Sequence, residues 1–317
     1  MGRCVIGYLG IDIGGTKVAF RCEHGETGAA EEFSFPWPKP GPDAAEDLRL
    51  LGVQVAKALP REQLTAVGVS APATLDRAGR VVAWPMRPSW TGVDFGAALR
   101  SLFPGVPVCV ADDGDLAALA EAKEAGCADL VYFGVGTGIG GGIVLDGRSW
   151  PGLQRASCEL GHVVVDRSGA RCDCGRRGCV QALASGPATL RRATRLRGGP
   201  VTPARLRAGI EAGEPWAVTA VTESALALAA AVVSTGELCA PAATVIGGGF
   251  AAGVPAFVTL VAAEVRRLAR PGRPPAPVRP AVLGGLSSLH GAVVAARELV
   301  REAQAAEISS RARAASR

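Results

Sequence analysis

Three clusters of glycine, each placed directly after an apolar segment typical of a strand, most constrain how this chain folds. They are Gly14-Gly15, the run Gly134–Gly142, and Gly247-Gly248-Gly249. Glycine accounts for 42 of the 317 residues, well above the ordinary share of roughly 7%. Because clustered glycine allows tight turns and close approach of the backbone to a ligand, the clusters predict binding loops at the ends of strands.

Two of these clusters lie within the same plan of strand, glycine turn and strand. Leu9–Phe20 alternates apolar residues around Asp12, turns at Gly14-Gly15 and resumes as a strand, and Asp129–Leu145 repeats the plan. The repeat indicates two related lobes. Strand and helix patterns alternate along the rest of the chain, which predicts an α/β fold with mixed sheets flanked by helices. The last helix is predicted over 289–307, followed by a frayed basic tail over 308–317.

Composition and charge exclude several classes of protein. With 48% hydrophobic and 20% charged residues, the chain is predicted to fold into two domains with well-filled cores. A net charge of +5 spread over this length does not indicate a nucleic-acid groove. The N-terminus lacks the pattern of a signal peptide, and no uninterrupted apolar run reaches the length of a membrane span. We therefore expect a cytoplasmic protein with no nucleic-acid or membrane partner.

The glycine turns also carry hydroxyl and carboxylate side chains. Backbone N–H groups in a tight turn converge and bind anions such as phosphates. A tight hairpin without a ligand explains one such cluster, but it is a weaker explanation for three. Together they predict an ATP site between two lobes. The candidate phosphate- and nucleotide-binding residues are Asp12, Gly14, Gly15, Thr16, Lys17, Gly136, Thr137, Gly138, Gly248 and Gly249.

The three clusters share a pattern with a known superfamily. D-x-G-G-T, then G-T-G-x-G-G-G, then a late I-G-G-G resembles the sugar kinase, hexokinase and actin-like ATPase superfamily. The resemblance implies a two-lobed actin-like ATPase (ribonuclease H-like) fold. We expect a smaller N-terminal lobe over 1–111, completed by the C-terminal helix over 291–317, and a larger lobe over 112–290.

A histidine and three cysteines are closely spaced after the second hairpin. His162, Cys172, Cys174 and Cys179 supply one imidazole and three thiolates, a donor set that suits a tetrahedral structural zinc. Free reduced thiols that cluster by chance are the alternative. An odd total of nine cysteines without a secretory signal is evidence against a disulfide framework. The other six are expected to be small core residues: Cys4, Cys22, Cys109, Cys127, Cys158 and Cys239.

The same segment narrows the resemblance. Glu159-Leu-Gly-His162 followed by C-x-C-G-x-x-G-C closely resembles the signature of the ROK (repressor, ORF, kinase) family, whose kinases include glucokinases, fructokinases and N-acetylated aminosugar kinases. It extends through nearly the whole chain. It implies that zinc fixes the loop presenting Glu159 and His162 to sugar hydroxyls, and that the protein is a homodimer or homotetramer.

Phosphoryl transfer requires a carboxylate that takes the proton of the acceptor hydroxyl. Asp113 follows a predicted strand over 106–111 and matches the catalytic aspartate of the family. The alternative is that Asp113 or Asp115 caps the next helix, and we expect the cap to be Asp115. Asp12 is expected to orient the phosphates through Mg²⁺ and its waters. Thr16 and Lys17 are expected near the phosphates, although Lys17 also fits a solvent-facing strand position.

Four positions depart from the pattern of family glucokinases. Asp112 replaces an asparagine, Met86 replaces the asparagine of a P-N-x-x-x-W segment, Ala73 replaces a glycine, and Gln181 replaces a glutamate. By the resemblance, these positions normally contact or closely approach the hexose ring. A site that pairs particular hydroxyls rejects analogues strongly, so several changed partners imply a ligand other than glucose.

The sequence therefore predicts an ATP-dependent kinase that phosphorylates a primary hydroxyl of a sugar-like polyol. A C7-cyclitol or modified sugar is slightly favoured, and a glucokinase-like hexose kinase is the alternative. A sugar-sensing regulator would need an N-terminal DNA-binding domain, for which Asp12 leaves no room. An inactive pseudo-kinase is not expected, because Asp113 and both phosphate loops are retained.

Overall fold

The structure is a computed structural model, and it describes residues 6–24, 29–41, 43–58, 64–84, 86–153 and 157–315. The chain divides into two compact units. The first comprises Met1–Leu116, Pro151–Ser157 and Ser288–Arg317, and the second comprises Ala117–Trp150 and Cys158–Ser287. Each unit contains one five-stranded mixed sheet with helices packed on it. The predicted α/β fold with mixed sheets flanked by helices is confirmed.

The described elements follow the alternation of strands and helices that the sequence predicts. The strands are β1 (Ile6–Ile13), β2 (Lys17–His24), β3 (Ala30–Pro36), β4 (Ala66–Ser70), β5 (Thr74–Leu75), β6 (Val81–Ala83), β7 (Val108–Ala111), β8 (Leu130–Val135), β9 (Ile139–Leu145), β10 (Arg148–Trp150), β11 (Ala243–Gly247) and β12 (Val278–Pro280). The α-helices are α1 (Ala44–Ala58), α2 (Phe95–Leu102), α3 (Asp113–Glu124), α4 (Val180–Ala184), α5 (Gly186–Arg197), α6 (Pro203–Glu211), α7 (Pro215–Cys239), α8 (Gly249–Gly253), α9 (Pro255–Arg267) and α10 (Ser287–Ala315).

The two sheets have matching topologies. The first has the strand order β3-β2-β1-β4-β7 and the second has the order β10-β9-β8-β11-β12. In each sheet a hairpin pairs antiparallel, and later strands add parallel to its first strand. The repeated hairpin seen in the sequence is therefore the start of two sheets built on one plan.

The first sheet packs closely against α10, because two of its strands carry glycine where the helix crosses. A Cβ atom on Gly68 would lie 1.9 Å from the carbonyl oxygen of Ala292, and one on Gly10 would lie 2.8 Å from that of Leu289. Side chains at these positions would push the helix off the sheet. The hydrophobic core of the first unit includes Leu9, Ile11 and Trp90.

The core of the second unit is built around α7. Leu228 and Val221 are fully or almost fully buried, and the helix packs on α5 and α9. Among the described residues, α7 has the length and apolar composition to cross a membrane, but half of its most apolar window is buried inside the protein. This burial is typical of a core helix.

The C-terminal helix differs from the prediction. Instead of ending near Glu307 and continuing as a frayed tail, α10 extends to Ala315. Arg311 hydrogen-bonds to Glu307 one turn earlier, and such pairs stabilise an exposed helix. The prediction of a tail over 308–315 is wrong, because charge alone does not break a helix, and residues 316–317 lie outside the described residues.

A buried carboxylate on α3 accepts hydrogen bonds from the segment that leads into α10. Glu121 is 1% exposed, and its carboxylate oxygens accept hydrogen bonds from the backbone N–H groups of Val282 (3.0 Å) and Leu283 (3.1 Å) and from the hydroxyl of Ser287 (2.7 Å). A buried charge is tolerated when its hydrogen-bonding capacity is filled in this way.

Replacing Glu121 with alanine should destabilise the second unit. Three donors would lose their acceptor in the interior, so we expect the free energy of unfolding, measured by urea denaturation, to fall by about 3 kcal/mol. Glu124→Ala on the exposed face of the same helix is the matched control and should change it by less than about 0.5 kcal/mol. Equal stability of the two variants would contradict this role of Glu121.

Candidate active site

The parallel strands of the first unit bring their carboxyl ends to one edge of the sheet. Asp12 at the end of β1 pairs in register with Ser70 at the end of β4, and Ser70 pairs with Ala111 at the end of β7. Asp112 and Asp113 follow directly. Ligands of open α/β sheets bind at such edges, so candidate residues from three distant parts of the sequence meet where a ligand is expected.

The first glycine turn is a tight loop beside Asp12. The N–H of Gly14 donates to the carbonyl oxygen of Lys17 at 3.0 Å, and the carbonyl oxygen of Thr16 accepts from the N–H of Trp37 at 2.8 Å. Gly15 is half-buried, whereas Thr16 and Lys17 are exposed. The turn therefore presents a hydroxyl and an ammonium group on a fixed backbone.

Asp12 is half-buried at the end of β1. Burial raises the pKa of its carboxyl group, while the neighbouring hydroxyls of Ser70 and Ser288 and the charge of Lys17 act in the opposite direction. A half-buried carboxylate with these neighbours is suited to a cation. The sequence analysis missed Ser70 and Ser288. The pairing of strands β1 and β4 identifies Ser70, but no local pattern identifies Ser288.

The turn before α3 differs from the expected arrangement. The Asp112 carboxylate accepts a hydrogen bond from the N–H of Gly114 at 3.0 Å, and the backbone carbonyl oxygen of Asp112 accepts one from the N–H of Leu116 at 3.1 Å. Asp112 thus caps the helix, and the prediction that Asp115 is the cap is wrong, because Asp115 already lies inside the first turn. Asp113 is the first helical residue.

Two of the four departures from the glucokinase pattern lie in the first unit away from α3. Met86 is 55% exposed, and its side chain covers Gly15, where an added Cβ would lie 3.5 Å from the Met86 methyl carbon. Ala73 is buried shortly after β4. An apolar side chain therefore lies against the glycine turn where the family pattern has an amide.

The glycine loops of the second unit also converge at strand ends. Gly136 follows β8, and its carbonyl oxygen accepts from the N–H of Gly186 at the start of α5, at 2.9 Å. Gly248 follows β11 with φ of +88°, and a Cβ there would lie 2.5 Å from the carbonyl oxygen of Val135. Only glycine fits both conditions at this position. Gly138, Thr137 and Gly249 belong to the same two loops.

Gln181 links α4 to the second glycine loop. Its side-chain oxygen accepts from the N–H of Ile139 at 2.9 Å and lies close to Gly138 and Gly161. Gly161 has no room for a side chain, because a Cβ would lie 1.8 Å from the carbonyl oxygen of Ile139. The turn that carries Glu159 and His162 is therefore pressed directly onto β9.

The histidine and cysteine cluster is assembled as expected. The ligand atoms of His162, Cys172, Cys174 and Cys179 all lie within 4.8 Å of one another. Nδ1 of His162 is 3.6 Å from Sγ of Cys172, and Cys174 and Cys179 are separated by 3.6 Å between sulfurs. Nε2 of His162 lies 4.0 Å from a carboxylate oxygen of Glu159. The histidine therefore directs one nitrogen to the sulfurs and the other to Glu159.

The remaining described cysteines differ in environment. Cys22 and Cys109 are buried core residues, and burial raises the pKa of their thiols to about 11 and about 12. Cys127, Cys158 and Cys239 are half-buried, so the prediction of a core position is confirmed only for Cys22 and Cys109. Cys4 lies outside the described residues.

Comparison with known proteins identifies the class. A family profile described as "ROK family" matches residues 8–299. Kanosamine kinase of Amycolatopsis mediterranei is 56% identical over 291 residues, which cover 91% of this chain and 95% of that protein. A ROK hexokinase from Thermus thermophilus superposes with a TM-score of 0.82 at 32% identity, covering 93% of this chain and 99% of that one.

A ROK glucokinase from Streptomyces griseus, solved with glucose and AMPPNP, superposes with a TM-score of 0.75 at 28% identity, covering 92% of this chain and 99% of that one. The predicted actin-like ATPase fold is confirmed by these structures. The protein is an ATP-using sugar kinase, a phosphotransferase with an alcohol group as acceptor. The chain belongs to the ROK family.

Proposed function

We propose that this protein transfers the γ-phosphoryl group of ATP to the primary hydroxyl of an amino-modified hexose, with kanosamine as the first candidate. The observation that carries the proposal is the 56% identity to a kanosamine kinase over nearly the full length of both proteins. The four departures from the glucokinase pattern support it, since they favour a ligand other than glucose.

Asp113 is the proposed base that takes the proton of the acceptor hydroxyl. It lies at the edge of the sheet that also carries Asp12 and Ser70, and a carboxylate there has the chemistry that phosphoryl transfer requires. The N–H groups of the glycine loops, with Thr16, Thr137 and Lys17, are proposed to hold the phosphates. Glu159 and His162 are proposed to bind hydroxyls of the sugar ring.

Magnesium would neutralise charge on the transferred phosphoryl group when bound with ATP. Asp12 fits the role of its protein ligand, directly or through water, because its half-buried carboxylate lies beside the hydroxyls of Ser70 and Ser288. Carboxylate, hydroxyl and water oxygens are the donors that magnesium prefers.

Asp112 gives a chemical reason for an amino-modified acceptor. Kanosamine is glucose with an amino group in place of the 3-hydroxyl, and its protonated form is a cation. A carboxylate at position 112 attracts this cation, whereas the asparagine of the glucokinase pattern suits a neutral hydroxyl. The bond from Gly114 fixes the orientation of the carboxylate before a ligand arrives.

An acceptor screen tests the function. ADP release with kanosamine, glucose, other aminosugars and a C7-cyclitol should give the highest kcat/KM with kanosamine, and Asp113→Asn should lower turnover by about 10²- to 10⁴-fold. Asp129→Asn, outside the proposed site, is the control variant. A higher kcat/KM with the cyclitol would support a C7-cyclitol kinase instead, and a higher kcat/KM with glucose would support a hexose kinase. Full activity of Asp113→Asn would contradict the assignment of Asp113 as the base.

Substituting Asp112 tests the recognition of the amino group. Asp112→Asn retains a good helix cap and removes the charge. We expect the ratio of kcat/KM for kanosamine to that for glucose to fall by about 10- to 100-fold, which corresponds to roughly 1.5 to 3 kcal/mol for a charge-assisted hydrogen bond. Thermal unfolding should stay near that of the wild type. An unchanged ratio would contradict the role of Asp112.

We also propose a structural zinc at His162, Cys172, Cys174 and Cys179. A tetrahedral site with Zn–S bonds of about 2.3 Å requires sulfurs separated by about 3.8 Å, and the separation of 3.6 Å between the sulfurs of Cys174 and Cys179 fits this requirement. Three thiolates and one imidazole leave no open position, so the metal would fix the turn carrying Glu159 rather than supply chemistry.

Metal analysis of the purified protein tests the zinc site. We expect about one zinc per chain, and loss of most of it in Cys179→Ser, because the replacement removes one of four ligands. Chelation should also lower the melting temperature of the wild type. Cys127→Ser, a cysteine outside the cluster, should retain the metal. A wild-type protein that is zinc-free and equally stable would contradict the proposal.

Assembly and cellular location stay predictions. The resemblance to the family implies a homodimer or homotetramer, and the composition favours a cytoplasmic enzyme without nucleic-acid or membrane partners. The match to kanosamine kinase over 95% of that protein's length supports a kinase rather than a sugar-sensing regulator.

A further inference from the structure

A buried arginine lies next to the residue that covers the first glycine turn. Arg87 is 0% exposed and follows Met86 directly. Its Nη1 donates to Oδ2 of Asp47 at 2.6 Å, and its Nη2 donates to the carbonyl oxygen of Pro38 at 2.6 Å. A charged group this deeply buried is costly unless its partners are well placed, so the local chain is held to one arrangement.

Asp47 is fixed from a second direction. The indole N–H of Trp90 donates to the same Oδ2 atom at 2.8 Å, and Asp47 itself is 3% exposed in the first turn of α1. The carboxylate therefore joins α1 to both ends of the segment from Arg87 to Trp90. The rings of Trp84 and Phe95 pack on Trp90 and on each other, with ring centroids 5.2 to 5.6 Å apart.

The arginine is also connected to the backbone of the glycine turn. Its guanidinium lies 4.1 Å from the ring centroid of Trp37, a cation–π contact that is strong when desolvated. The N–H of Trp37 in turn donates to the carbonyl oxygen of Thr16 at 2.8 Å. Movement of the Arg87 side chain would thus be transmitted to Thr16 through one intervening residue.

Met86 projects from a tight turn that this arginine terminates. The N–H of Arg87 donates to the carbonyl oxygen of Trp84 at 2.9 Å, which closes the turn. Met86 is half-exposed, yet its side chain covers Gly15. Both the covering residue and the covered turn are therefore tied to the same buried ion pair.

We propose that the Arg87–Asp47 ion pair is a positioning device for phosphoryl transfer, which holds the Met86 thioether over the Gly14-Gly15 turn so that water is kept from the transferred phosphoryl group. The inference rests on the proposed kinase function. Met86 acts as a shield that favours the sugar hydroxyl over water, and Arg87 and Asp47 are positioning residues that act through it.

The two competing reactions differ only in the nucleophile. In transfer, the acceptor oxygen forms a bond to the γ-phosphorus as the bond to the β,γ-bridging oxygen breaks. The hydroxyl proton passes to the base, and ADP leaves with the bridging oxygen. In hydrolysis, a water oxygen takes the place of the acceptor oxygen, and inorganic phosphate forms in place of the sugar phosphate. Excluding water therefore changes the partition between the products without changing the chemistry of the donor.

The experiment measures this partition in the full-length enzyme with ATP, magnesium and the best acceptor found for the wild type. Inorganic phosphate and sugar phosphate are quantified together in wild type, Met86→Ala, Met86→Leu and Arg87→Lys. Val82→Ala is the matched control, because Val82 is also 55% exposed. Both rates scale with the amount of folded enzyme, so their ratio does not respond to a loss of stability alone.

Met86→Ala should raise the ratio of hydrolysis to transfer by on the order of tenfold. Met86→Leu should have a ratio close to that of the wild type, because leucine supplies a similar volume. Arg87→Lys retains the charge but loses the forked contact to Asp47 and Pro38. It should raise the ratio in the same direction and lower kcat by about tenfold or more. Val82→Ala should match the wild type.

Two results would overturn the inference while leaving the kinase function intact: a wild-type ratio in Met86→Ala, or a wild-type ratio in Arg87→Lys with only a lower melting temperature. Failure of the proposed function looks different, because the wild-type enzyme would then transfer phosphate to none of the acceptors. If Arg87→Lys does not fold, Asp47→Asn, which retains a hydrogen-bond acceptor, replaces it under the same criterion.

Discussion

The parallel pairing of β1, β4 and β7 is the constraint on which the candidate site of the first unit depends. It places Asp12, Ser70 and Asp112 at a single edge, although they are separated by about a hundred positions in the chain. The register is kept by the buried, apolar strands, since a shift of one residue would turn core side chains toward solvent. The hydrophobic core therefore aligns the polar groups at this edge.

Glycine enforces the geometry around this edge and in the second unit. At Gly68 and Gly161 the space for a Cβ is occupied by a backbone carbonyl oxygen, so an element of structure rests directly on a strand at each position. The excess of glycine in the composition therefore has two physical origins. Part of it forms ligand-facing turns, and part of it allows helices and turns to pack against sheets at backbone distance.

The sequence predicted the parts of the structure that have local signals. Alternating apolar residues identified both hairpins, and the spacing of His162 and the three cysteines identified a cluster that the fold does assemble. Ser288 beside Asp12, and Arg87 with Asp47, had no such signal, because each contact joins residues far apart in the chain. The cap at Asp112 was missed for another reason: three aspartates within four positions satisfy the same local rule, and only backbone geometry selects one.

This cap also bears on how substrate preference changes within such a fold. Asn and Asp are about equally good at the N-terminus of a helix, so either residue at position 112 satisfies the N–H of Gly114. Capping of the helix therefore does not require a negative charge at this position, whereas binding of a positively charged acceptor does. A substitution between the two residues alters electrostatics in the proposed sugar site while the helix, and Asp113 at its first position, stay in place. Substrate recognition can therefore change at this position without destabilising the helix.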